Sequence, residues 1–304
     1  MPFFPFEQYR EIIPDFSLFT DCLLQPFPVH LRINRLKTEP DGVVPMLREQ
    51  GIDIERVHEN HDLFYHARDL HSPGNLLEYF LGHIHPQALT SCLASVALSP
   101  RAGSYVLDMC ASPGGKASHM AQLMSNTGLI IANELYPTRH IPLAHTISRL
   151  GVLNCVLTGY QAQEFPLSQR FDYILSDVPC SGEGRVRLVD GVHSYYSQKS
   201  VVRPRLLEMQ KKIILRGFDL LKENGVMLYS TCTFNPDENE AVVHFLLENR
   251  DADLFPIDVG FHYESGITQW KGDSYDKRIE RTARFYPHRI NSVGFFMAGI
   301  RRRA

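Results

Sequence analysis

No Cys-x-x-Cys pair and no histidine set at zinc-finger spacing occurs in the 304 residues, so neither a structural metal site nor a disulfide framework is expected. The six cysteines, Cys22, Cys92, Cys110, Cys155, Cys180 and Cys232, are scattered, and free thiols with separate tasks are the expectation. No apolar run approaches the length of a membrane span. The opening MPFFPFEQYREIIPDF mixes prolines with early acidic groups instead of a basic start and an apolar core. It predicts no signal peptide and, by default, a cytoplasmic location. An excess of positive charge is missing as well: the formal net charge is −3, which alone argues against nucleic-acid binding.

What is present is ordinary globular composition, 44% hydrophobic and 21% charged, with no low-complexity tract or internal repeat. The length suits one large domain with a smaller appended piece. Charge is unevenly placed. Arg185, Arg187, Arg203, Arg205, Lys211, Lys212 and Arg216 lie in one stretch, and the chain closes on Arg301–Arg302–Arg303. Singly each reads as a solvated face or a frayed tail; the cluster gains interest because it follows a catalytic candidate.

The alternation in PVHLRINRLKT (28–38) predicts a strand, and VVPMLREQGIDIERV a helix followed by a strand. Together they predict a small α+β unit over 1–75, bounded where His71–Ser72–Pro73–Gly74 collects turn formers. Over 76–304, strand-like and helix-like segments alternate, the signature of a doubly wound, mostly parallel α/β sheet. Strands are predicted at 104–110, 128–134, 154–159, 171–178 and 225–232, with a last one near 293–300. Helices are predicted at 116–125, 137–150, 205–223 and 236–249.

In such a sheet ligands sit beyond the carboxyl ends of the strands. The first strand runs into Cys110–Ala111–Ser112–Pro113–Gly114–Gly115–Lys116 and then a helix. Two glycines let a ligand approach the backbone, and the helix start offers free N–H groups. The spacing is neither G-x-G-x-x-G nor a P-loop. Glu134, at the end of the second strand and 20 residues beyond Gly114, is placed to accept from ribose hydroxyls. The fourth strand ends Asp177–Val178–Pro179–Cys180 and the fifth Thr231–Cys232. A single cysteine is more often a small buried hydrophobe. Two at adjacent strand ends suit a covalent route to C5 of cytosine, in which one thiolate adds to C6 and the other thiol enables elimination. Asp177 is a candidate to hold the cytosine amino group or N3. Asn235 reads as a helix N-cap with Pro236 at the first helical position, an arrangement that can lower the thiol pKa of Cys232, with Asp237 and Glu238 working against it.

DMCASPGGKASHMAQ, SDVPCSGEGRVR, YSTCTFNPDENEAVV and RFYPHRINSVGFFMAGI resemble the Nol/Nop/Sun (Sun/Fmu type) family of RNA cytosine-5 methyltransferases. The likeness runs from about Pro28 to Ile300 and includes VHLRINRLKT, similar to the family's N-terminal RNA-associated subdomain. It implies a class I (Rossmann-like) methyltransferase fold using S-adenosylmethionine, with Cys232 as nucleophile, Cys180 assisting release and Asp177 between cofactor and base. It also implies that Cys110 to Lys116 cradle the methionine end, that Glu134 binds ribose and that Arg139 lies near the cofactor. Where the family usually has an adenine-binding Asp, this chain reads Thr158–Gly159–Tyr160–Gln161, and Gln161 is the expected substitute. The C-terminal RNA-binding domain of some relatives is not expected. The basic stretch is then expected to meet RNA phosphates, the partner is rRNA or tRNA, and the protein is expected to act as a monomer. A nucleobase N-methyltransferase is disfavoured because Pro179–Cys180 stands where an Asp-Pro-Pro-Tyr type motif is needed. A non-catalytic RNA-binding or assembly factor on the same scaffold is disfavoured by the presence of Cys232 and the glycine turn.

Overall fold

A computed structural model describes residues 6–189 and 204–303. The alternating run near the N-terminus forms β1 (Val29–Ile33), shorter than predicted because the chain turns at Asn34, whose carbonyl accepts from the Lys37 and Thr38 N–H groups. With β2 (Asp53–His58), β3 (His61–Arg68) and β4 (Ile84–Pro86) it makes an antiparallel sheet of order β2-β3-β1-β4. The helix Pro40–Glu49 lays Val43, Val44 and Leu47 on Leu31 and Ile33. Each such side chain taken out of water contributes about 1.5–3 kcal/mol. Two features differ from the expected unit of 1–75. The last strand of this sheet lies beyond the turn cluster, because the turn His71–Gly74 sits inside the sheet's connection. The first described residues also pack elsewhere: Phe6, Tyr9, Phe16, Phe19 and Leu23 join Phe234, Trp270 and Tyr286 of the larger part.

The larger sheet holds β5 (Tyr105–Asp108), β6 (Leu129–Asn133), β7 (Cys155–Thr158), β8 (Phe171–Asp177), β9 (Leu221–Thr231), β10 (Ala252–Phe255), β11 (Glu264–Ser265), β14 (Ala283–Phe285) and β15 (Phe295–Arg302), while β12 (Gln269–Trp270) and β13 (Asp273–Ser274) form a separate hairpin. Strands β7-β6-β5-β8-β9 are parallel, and β15 runs antiparallel beside β9. Successive residues face opposite layers. Val106 packs with Met120 and Leu143, and Leu107 with Ile213 and Ile214. The doubly wound, mostly parallel class I architecture is therefore observed. The chain steps one way from β5 to β7 and the other way from β8 to β9, which opens a crevice over β5 and β8.

Element boundaries shift at three places. The helix expected at 205–223 ends at Asp219, because Leu221 pairs with Phe171 of β8 and opens β9. The helix expected from Pro236 begins at Glu240. Asn235 is not its cap: its side chain accepts from the Asp237 N–H at 2.9 Å in a local turn, and Asn239 is spent on Thr231 and Thr233. The final strand runs on through Arg301 and Arg302 instead of fraying. Among the described residues no helix is long and apolar enough to cross a membrane.

The two sheets are locked together by polar contacts. Arg32 on β1, fully buried, donates to Gln87 Oε1 at 3.1 Å, to Ser118 Oγ at 2.9 Å and to Gln122. Asn34 Nδ2 donates to the carbonyls of Gly82 and Leu150, each at 2.8 Å.

Candidate active site

The crevice over β5 and β8 is a cleft of about 700 Å³. One wall is the turn between β5 and the helix Gly115–Leu123. Gly114 adopts φ +100°, and a Cβ there would press on Leu143 and Thr146 at 3.1–3.2 Å; the turn is tight because the next helix layer lies directly behind it. Ala111 N–H donates to the Asn133 carbonyl at 2.8 Å, fastening the turn to β6. Glu134, 3% exposed, accepts from the Tyr136 N–H at 3.0 Å and pairs with Arg139 at 3.3 Å. Arg139 also donates to the Ser112 carbonyl at 2.9 Å.

The opposite wall carries the thiols. β8 and β9 are parallel neighbours, with Asp177 paired to Ser230, so the segments that follow them emerge side by side. Cys180 Sγ and Cys232 Sγ are 3.4 Å apart. Asp177 bridges the walls: Lys116 Nζ donates to its Oδ2 at 2.7 Å and Ser230 Oγ to its Oδ1 at 2.8 Å. Each carboxylate oxygen keeps acceptor capacity for a ligand. The two thiol segments are also stitched to each other. Gly184 N–H donates to the Cys232 carbonyl at 2.8 Å, Ser181 Oγ and Thr233 Oγ1 are 2.8 Å apart, and Thr233 Oγ1 donates to Glu183 at 3.0 Å.

The surroundings make the two thiols unequal. The hydrogen bond from Cys180 lowers the pKa of Cys232; burial and Asp177 oppose this, and Arg185 and Lys116 support it. Cys180 is held well above the usual thiol range by that same hydrogen bond, by burial and by the charges of Cys232 and Glu238. The pair therefore favours a thiolate on Cys232 with Cys180 as its S–H donor. The direction agrees with the sequence expectation, but the expected cause does not operate, since the helix start lies at Glu240. Burial works against the charge on Lys116, yet Asp177 and Asp108 hold its amine above the ordinary range. Asp108, 1% exposed, is pushed up to about 7 by burial and by Asp177, and its Oδ2 has no hydrogen-bond partner among the described residues. Cys110 is raised well above the thiol range by burial and neighbouring carboxylates, which disfavours it as a rival nucleophile.

Of the residues singled out by sequence, Cys110, Ala111, Ser112, Pro113, Gly115, Lys116, Arg139, Asp177, Cys180 and Cys232 line the cleft. Gly114 shapes the turn and Glu134 lies buried at the end of β6. Gln161 is not brought to the cleft; it is exposed and its Oε1 accepts from Gln163 at 2.8 Å. The basic stretch divides. Arg185 lines the cleft, but Arg187 is buried over the Phe27 ring and donates to the Ser292 carbonyl. Arg216 is tied to the Gln163 carbonyl and Lys211 to Glu208, while Arg203 falls outside the described residues. Sequence reasoning missed Asp108, Glu183 and Glu238. Asp108 had a signal, a carboxylate at the end of an apolar strand; Glu183 stands alone between two glycines, and Glu238 is one of several acids in a short polar stretch. Among the described residues no cluster of three metal-ligating side chains occurs.

Comparison with known proteins places this geometry in context. A family model described as 16S rRNA methyltransferase RsmB/F matches residues 95–301. The chain is 35% identical to the 28S rRNA (cytosine(4447)-C(5))-methyltransferase of Homo sapiens over 91% of its own length but only 34% of that protein's. It is 33% identical to the tRNA (cytosine(49)-C(5))-methyltransferase of Pyrococcus abyssi, over 97% of this chain and 94% of the relative. It thus spans about a third of the human relative and nearly all of the archaeal one. A solved methyltransferase homolog protein from Pyrococcus horikoshii superposes with a TM-score of 0.82 at 31% identity, covering 97% of this chain and 93% of that one.

Proposed function

The chain belongs to the RsmB/F family of RNA methyltransferases, and from that membership we propose that it methylates C5 of a cytosine in rRNA or tRNA with S-adenosylmethionine as donor. The observation that carries the reading is the pair of sulfurs 3.4 Å apart at the ends of neighbouring parallel strands. A reaction needing only a base and a donor would not call for both.

The cleft fits the donor. Asp108 presents a buried oxygen with no hydrogen-bond partner among the described residues, and at Gly115 a Cβ would crowd His85 and Gln87 at 3.2–3.3 Å, so only a side-chainless residue leaves this wall open. The backbone from Cys110 to Lys116 would hold the methionine end, and Glu134, with Arg139 beside it, the ribose. When bound, S-adenosylmethionine supplies a methyl group activated by its sulfonium charge.

The chain's own residues do the rest. Cys232, as thiolate, adds to C6 of the cytosine and makes C5 electron-rich. Asp177, fixed by Lys116 and Ser230, accepts from the base's amino group and keeps the ring over Cys232. Cys180, a thiol while Cys232 is the nucleophile, loses its proton to solvent once Cys232 is bonded to C6 and, as thiolate, takes the C5 proton; the C5–H electrons re-form the C5–C6 double bond, and the C6–S bond breaks to return Cys232 its electron pair. The base has to leave its stack to reach this depth, so a loop or disrupted helix is the suitable target. We place the protein in the cytoplasm, acting as a monomer.

The test is to incubate wild-type, Cys232→Ala and Cys180→Ala protein with methyl-labelled donor and unmodified total RNA. Label at cytosine C5 that requires Cys232, with an RNA adduct trapped by Cys180→Ala, is the expected result. Normal methylation by Cys232→Ala would refute the nucleophile. Label on nitrogen would indicate N-methylation, and no label in any RNA fraction a non-catalytic scaffold.

A further inference from the structure

Two identical thiols in contact pose a question of order: which one carries the proton. The residues facing the pair are Lys116 from the helix Gly115–Leu123, Asp177 from β8, Tyr229 from β9, Arg185 from the loop after Cys180, and Glu238 from the turn before the helix Glu240–Asn249. Arg185 and Lys116 act on Cys232, whereas Glu238 acts on Cys180. Glu238 is fully buried. Its Oε2 accepts from the Ser181 N–H at 2.9 Å, one residue beyond Cys180, and from Gln210 Nε2 at 3.0 Å. Gln210, also fully buried, donates from the same nitrogen to the Pro179 carbonyl at 2.8 Å, one residue before Cys180. The Tyr229 hydroxyl donates to the Glu238 carbonyl at 2.7 Å and fixes that backbone from below. The peptide groups on both sides of Cys180 are thus gripped by one side-chain pair from two other elements, and Glu238 Oε1 is left buried without a hydrogen-bond partner among the described residues. A buried carboxylate with one oxygen unsatisfied costs stability, and that cost falls beside the reacting sulfur.

We infer that Glu238, clamped by Gln210, is the positioning residue that assigns the thiol role to Cys180 and so leaves Cys232 as the nucleophile. Its negative charge opposes ionisation of Cys180 more than of Cys232, and its grip on Ser181 keeps the Cys180 S–H pointed at Cys232. Gln210 lies on the helix Pro204–Asp219, so the helix that follows the thiol segment in sequence also sets its geometry. The effect on product release rests on the proposed methylation; the effect on thiol reactivity does not.

The experiment separates the two. Wild-type and Glu238→Gln proteins are alkylated with limiting iodoacetamide at neutral pH, without RNA, and the labelled cysteines are mapped by peptide mass. In wild type the label between these two sites falls on Cys232; in Glu238→Gln the share on Cys180 is expected to rise about tenfold, the worth of one pKa unit. An unchanged distribution in folded Glu238→Gln protein would overturn the inference. Gln210→Met keeps the charge and removes the clamp. Its label should stay on Cys232, while its covalent RNA adduct should outlive that of wild type; release at the wild-type rate would overturn the clamp even if Glu238→Gln failed to fold. If no variant, Cys180→Ala included, ever forms an adduct, it is the methylation reading that fails, and the alkylation result stands on its own.

Discussion

At the β5–β6 end of the cleft the ligand-facing groups are mostly backbone, shaped by Gly114 and fastened through the Ala111 N–H to β6, with half-exposed Arg139 as the charged partner of Glu134. At the β8–β9 end they are side chains, and almost every one is held by another side chain: Asp177 by Lys116 and Ser230, Thr233 by Ser181 and Glu183, Ser181 by Glu238. On the proposed reaction, the contrast follows from two tasks. Holding a nucleoside and an amino-acid tail needs donors, acceptors and shape, which a glycine turn supplies with little help. Making and breaking a carbon–sulfur bond needs reacting atoms set to within a fraction of an ångström, and only a cross-braced network provides that. Substitutions at the two ends should therefore fail in different ways.

Lys116→Met should separate the ends most sharply. Removing the donor that fixes Asp177 is expected to lower kcat about 10²–10³-fold, the range found for a preorganised electrostatic contact, while Arg139→Ala changes the donor's KM by less than about tenfold. Equal losses in a steady-state comparison would show that the two ends are not held differently. Gly294→Ala tests the bracing itself. The Gly294 N–H donates to the Gly184 carbonyl at 2.9 Å, and a Cβ on Gly294 would lie 2.1 Å from the Phe234 ring. The expected cost is about 1–3 kcal/mol of stability from overpacking, read by denaturant unfolding, with kcat reduced at temperatures where the fold persists. Unchanged stability would mean that this junction yields freely.

The smallest effect concerns pH. Asp108 is held up to about 7 in the fold against 3.8 as its ordinary value, chiefly by burial. Between those values the folded state keeps a proton that the unfolded chain has released, so stability falls as pH rises from about 4 to 7 and levels off above. Glu183, raised to about 7 by burial, adds a slope of the same sign. Asp108→Asn should make the fall in Tm across that window shallower without abolishing it; a slope equal to wild type would mean that Asp108 is already ionised in the fold.

The sequence disclosed the sheet because parallel strands alternate with helices at regular spacing, and it disclosed the turn and the two cysteines because each stands at a strand's carboxyl end. What it hid depended on partners distant along the chain. Arg187 reads as a phosphate contact until Phe27 and Ser292 close over it. Glu238 reads only as a charge opposing a thiolate on Cys232, and its grip on the Cys180 segment emerges when Ser181 and Gln210 arrive from other elements. Asn235–Pro236 carries a sound local capping signal, yet the helix waits for Glu240 because Asn239 is committed to Thr231 and Thr233. Gln161 occupies the position of a missing Asp, and nothing local directs it inward.

The N-terminal arm has a consequence in time. The Tyr9 hydroxyl rests on Glu183, 174 residues onward, and the Ile12 carbonyl accepts from Tyr286, 274 residues onward. At about 5–20 residues per second a ribosome needs roughly 15 to 55 seconds to bring Tyr286 into being after Ile12. Through that interval the folded surface that will cover Phe6, Phe16 and Phe19 is still being made. The brace behind the thiols is thus built from segments far apart along the chain, and its assembly waits until Tyr286 has been made.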